Sequence, residues 1–82
     1  MKFSLFLRSN TDKQYSLYNE IESPRIPCVD EFLCTLEDNE KKHFQVIAVN
    51  HVIRTELLWE VYAIETAPSW MYQEKQNIGF TF

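Results

Sequence analysis

Phe3, Leu5 and Leu7 alternate with Ser4, Phe6 and Arg8, the two-residue period of a strand with one face buried, and residues 2–8 are read as a first strand. Ser9-Asn10-Thr11-Asp12 is a run of side chains that bond their own backbone, so the chain is expected to reverse there. Tyr15, Leu17 and Tyr18 continue as a second strand ending before Pro24; a helix over residues 14–22 is the alternative, opposed by the β-favouring tyrosines and the lack of a 3.6-residue stripe. Pro24 and Pro27 fix their own dihedrals and push their predecessors toward extended geometry, which makes this segment an extended connection. Phe32 to Leu36, a polar tip from Glu37 to Lys42, and Phe44 to Val49 form a hairpin signature. A bend is expected at Val52-Ile53-Arg54 or at Thr55-Glu56. Leu58 to Ile64 then reads as a strand stopped by Pro68. Beyond it, Trp70, Met71 and Tyr72 cluster, and Ile78, Phe80 and Phe82 alternate as a final strand.

Five to six short strands with almost no helix predict a mostly β protein: a small single-domain SH3-like barrel, or a strongly bent antiparallel sheet. The chain of 82 residues is too short for a second hydrophobic core, so residues 1–82 are read as one domain. Its 45% hydrophobic and 24% charged residues are ordinary for a folded chain, and a single glycine argues against a linker or low-complexity segment. Three segments carry a resemblance: Ile26-Pro27-Cys28-Val29-Asp30-Glu31-Phe32, Phe44 to His51, and Trp59-Glu60-Val61-Tyr62-Ala63. Over residues 26–64 the pattern resembles small SH3-like barrels of short bacterial and phage proteins. Those proteins usually carry glycine where this chain has Asp30. The resemblance implies a stand-alone accessory or inhibitory protein and carries over no catalytic residue.

The strands hold more apolar residues than one buried face can use. Phe6, Leu33, Ile47, Val49 and Tyr62 fall out of phase with Leu5, Phe32, Val46 and Val61, so parts of both faces seek cover. Some cover can come from the C-terminal segment; where that does not suffice, the surplus marks an interface, with a partner or in a homodimer, and Trp59, Trp70 and Tyr72 are the candidate aromatic anchors, with core packing as the competing role.

Charge narrows the partner. The formal net charge is −4, which disfavours nucleic acid and anionic membranes. Glu20, Glu22, Asp30, Glu31, Glu37, Asp38 and Glu40 have only Arg25 as a counter-charge between them, and are read either as a solvated face or as an acidic footprint for a basic protein surface. The first residues are too short and too polar for a signal peptide or a membrane span, which gives a cytoplasmic expectation with Cys28 and Cys34 reduced.

Catalytic chemistry finds little support. Cys28, Cys34, His43 and His51 match the ligand count of a zinc site but lack the close pairing of one, so no metal is expected. Cys28 lies beside Asp30 and Glu31, which favours thiol over thiolate, and one glycine cannot build a phosphate loop; no cofactor is expected. The sequence therefore points to a non-enzymatic protein-binding module. An adaptor or inhibitor is the leading form, such as a phage-encoded protein that blocks a nucleic-acid-handling machine through the acidic residues. The alternative is a small barrel that binds single-stranded nucleic acid by stacking bases on Phe6, Tyr15, Tyr18, Tyr62, Trp70 or Tyr72.

Overall fold

The computed structural model describes residues 1–53, 57–66 and 80–81, and every element among them is a strand. In chain order these are β1 (Lys2–Arg8), β2 (Ser16–Glu22), β3 (Phe32–Glu37), β4 (Glu40–Ile53), β5 (Leu57–Glu65) and the two-residue β6 (Phe80–Thr81). They form one sheet in the order β2-β1-β5-β4-β3-β6, curled into a half-barrel.

The curl follows from where the apolar side chains lie. Phe3 and Leu5 of β1, Val61 and Ala63 of β5, Phe44 and Val46 of β4 and Leu33 of β3 are all buried in one cluster on the inner face. Ile21, Tyr18, Val49 and Trp59 pack against its rim. An apolar inner face with no helix over it among the described residues is removed from water by the sheet wrapping around it. Ser23 and Pro27, in the extended connection between β2 and β3, are also buried.

The β1–β2, β3–β4 and β4–β5 ladders are antiparallel, as expected. The ladder that joins β1 to β5 is not: the two strands run parallel, with Ser4 beside Glu60 and Leu7 beside Ala63. The sheet is thus mixed rather than purely antiparallel. β6 is parallel to β3.

Two bulges correct the strict alternation of the first reading. Between Val46 and Ala48 the register slips by one residue, so Val46 and Val49, three apart, both reach the core. A slip opposite Leu5 and Phe6 does the same for Tyr18 and Ile21 on β2. The predicted polar tip at 37–42 narrows to a two-residue turn. Asp38 and Asn39 have φ of 50° and 64°, the left-handed values of a type I′ hairpin, while Lys41 and Lys42 already belong to β4. Val52 and Ile53 also belong to β4, which excludes them as the bend; residues 54–56, and the segment with Pro68, Trp70, Tyr72 and Ile78, lie outside the described residues.

Candidate functional site

On β1 and β5 the side chains that alternate with the core residues point to the outer face, and the parallel register aligns them in rows across the sheet. One row is apolar: Leu17 of β2, Phe6 of β1, Tyr62 of β5 and Ala48 of β4. Phe6 and Tyr62 stack at 4.9 Å between centroids and 15° between planes. Tyr15, in the loop before β2, meets Tyr62 edge-on at 5.3 Å, and the Arg8 guanidinium lies 5.4 Å from the centre of the Tyr15 ring. Leu17 is 61% exposed and the bulged Ile47 is 45% exposed at the two ends of this row. A chain that already has a filled core gains nothing on folding from leaving these side chains in water.

The next row, two residues along the strands and about 7 Å away, is polar: Glu20, Ser4, Glu60 and Asn50. Asn50 Nδ2 donates to Glu60 Oε1 at 3.0 Å, and the Tyr62 hydroxyl donates to the same oxygen at 3.2 Å. Burial, and then the adjacent Glu60 carboxylate, raise the Tyr62 phenol above its ordinary value, so the hydroxyl stays a donor. Both donors are neutral. Among the described residues Glu60 has no cationic partner.

The seven acidic residues singled out from the sequence fall in three places. Glu20 and Glu22 project from β2 and pair loosely with Lys2 at 3.9 Å and the Met1 amino group at 3.1 Å. Asp30 and Glu31 lie in the turn before β3. There Glu31 takes two bonds from Arg25, at 2.6 and 2.5 Å, and a third from the Cys28 backbone N–H at 2.6 Å. The Arg25 guanidinium first, aided by the Cys28 amide, lowers the Glu31 carboxyl to about 2. Glu37, Asp38 and Glu40 stand at the exposed β3–β4 tip. The counter-charges that the linear sequence hid are Lys2 and the Met1 amino group.

Of the predicted aromatic anchors, Trp59 is half-buried, packs against the core and stacks on His51 at 3.9 Å and 4°. Trp70 and Tyr72 lie outside the described residues. Cys34 is buried and Cys28 exposed, both as free thiols.

Sequence reasoning reached Phe6 and Tyr62 through their broken phase. It missed Leu17, Glu60 and Asn50, because their meeting depends on β1 lying parallel beside β5. No protein-family model matches the chain, and neither a curated protein nor a solved structure is significantly similar to it. Among the described residues no helix is long and apolar enough to cross a membrane.

Proposed function

We propose that this protein is a non-catalytic protein-binding module, an adaptor or an inhibitor, and that it binds through the outer face of β2, β1, β5 and β4. The observation that carries this reading is the apolar row Leu17, Phe6 and Tyr62 on the side of the sheet away from the core, with Leu17 mostly exposed. Rows of this kind, rimmed by polar groups, mark protein interfaces.

The geometry supports a protein partner over single-stranded nucleic acid. Base stacking needs free ring faces, whereas Phe6 and Tyr62 cover one another and Tyr15 turns its edge. Carboxylates at Glu20 and Glu60 would also repel a phosphate chain. The divided acidic residues favour the outer face over an acidic footprint as the main contact, with the β3–β4 tip left to steer encounter.

A photo-reactive amino acid placed at position 17, and in a second variant at position 38, tests the reading in the cells that make the protein. A defined protein adduct from position 17 that is insensitive to nuclease is expected, with none from position 38. Nucleic-acid adducts from position 17, or protein adducts from position 38 alone, would overturn it.

A further inference from the structure

Glu60 is an unusual neighbour for an apolar row. Its carboxylate is half-buried beside Tyr62 and oriented by two neutral donors on one oxygen, with no cation among the described residues. Orienting a charge in this way costs side-chain entropy. That cost is offset when a partner brings a cation, because Oε1 is occupied by Asn50 and Tyr62 while Oε2 accepts no bond among the described residues.

The shape of the surface limits how that cation arrives. Addition of a strand at the β2 edge is opposed, because Asn19 Oδ1 already accepts the Glu20 backbone N–H at 2.8 Å, one of the donors a pairing strand would need. The apolar row instead runs across four strands, about 14 Å at the usual strand spacing. A helix laid across the strands covers about 10 Å between residues i and i+7, and so places two turns of apolar side chains along it. Its flank then lies over the row that holds Glu20 and Glu60.

From this we infer that the partner segment is a short amphipathic helix with an arginine or lysine on one flank, seated across β2, β1, β5 and β4 with that cation on Glu60. The inference rests on the outer face being the binding surface and adds the chemistry of its occupant.

The test uses the isotopically labelled full chain and a synthetic helical peptide with leucines at i, i+3, i+4 and i+7 and one flanking arginine. A second peptide carries neutral citrulline in its place. Amide shifts read by NMR are expected along Leu17, Phe6, Tyr62 and Ala48, with the arginine peptide about tenfold tighter, the effect of one charge-assisted bond. Glu60→Gln keeps an acceptor for Asn50 and Tyr62, and it is expected to erase that tenfold difference while leaving the citrulline peptide unaffected. Equal affinity of the two peptides at the same outer-face residues would overturn the cation site and leave the binding surface standing. Shifts confined to other strands, tighter binding of an oligonucleotide than of either peptide, or self-association of the chain through the outer face would overturn the helix as occupant. The crosslinking at position 17 decides separately whether the outer face binds protein at all.

Discussion

The Tyr18 phenol of β2 lies within electrostatic reach of the Glu37 carboxylate of β3, although three strands separate β2 from β3 in the sheet. The approach exists only because the sheet curls until its far strands come near, and the β2 bulge turns Tyr18 inward. Burial, followed by the Glu37 carboxylate, raises the Tyr18 phenol above its ordinary value. Tyr18→Phe is expected to lower stability by about 1 kcal/mol, the usual net value of a tyrosine hydroxyl donating to a carboxylate. In a Glu37→Gln background the loss should be smaller, since a neutral acceptor binds the hydroxyl less strongly. Urea unfolding of the two single variants and the double variant measures this coupling, and strictly additive effects would deny the contact. The raised phenol also sets a sign at alkaline pH. The unfolded chain loses the Tyr18 proton first, so this contribution is complete below pH 10 and declines as pH rises through the folded value.

Asp30 occupies a backbone position that few residue types accept. Its φ is 74°, and the Glu31 N–H bonds to the Cys28 carbonyl at 3.1 Å, closing a turn whose third residue is left-handed, where glycine is favoured. Aspartate is among the few other residues that tolerate this conformation. The turn aligns Asp30 N–H with the Val46 carbonyl and the Glu31 carbonyl with Val46 N–H, which joins the connection to β4. Asp30→Gly should leave stability within about 0.5 kcal/mol, while Asp30→Val, β-branched at a left-handed position, should cost about 2 kcal/mol. Thermal unfolding distinguishes the two, and a harmless valine would mean that the turn is not under this constraint.

The strands were legible where one face is buried without interruption. β1 and β5 show the two-residue period because Phe3 and Leu5, and Val61 and Ala63, enter the core in strict alternation. Pro24 and Pro27 marked the connection equally clearly. The bulges were not legible, since an extra residue at Ile47 looks like surplus hydrophobicity until its partner strand is known. For the same reason the outer site was only half visible. Phe6 and Tyr62 are 56 residues apart in sequence, and nothing local to either specifies a parallel neighbour. Burial of Leu5 beside Val61 on the opposite face does. Asp38 and Asn39 signalled a turn by residue type, but its two-residue length is a matter of register.

Tyr15 offers a test of how the outer cluster is built. Its ring packs against Tyr62, yet its hydroxyl is shut away from solvent with no hydrogen-bond partner among the described residues. A polar group buried in this way costs about 1 kcal/mol or more, and removing it recovers that cost without disturbing the ring contact. Tyr15→Phe is therefore expected to raise stability by about 1 kcal/mol in denaturant unfolding. A loss of stability would mean that the hydroxyl has a role in the fold.

The Arg25–Glu31 pair makes the connection before β3 sensitive to acid, with a sign that follows from its geometry. Glu31 titrates near 2 in the folded protein against an ordinary 4.5, mainly because it accepts two bonds from Arg25. A carboxylate lowered in this way stabilises the fold fully above about pH 4.5, and the contribution disappears as pH falls from 4.5 through 2, where the folded state must also take up the proton. Arg25 is exposed while the Glu31 side chain is only 23% exposed, so solvent screens part of the effect. Glu31→Gln keeps an acceptor for Arg25 and for the Cys28 amide but removes the charge, and it should be less stable than the native chain at pH 7. Between pH 4.5 and 2 the two stability curves should converge, because the native carboxyl becomes neutral while the other acidic groups titrate alike in both proteins. Unfolding measured at pH 7, 4.5 and 2 supplies the comparison. A gap of constant size across that interval would place the acid sensitivity elsewhere than in this pair, and would leave Glu31 as a turn residue that acts through its shape alone.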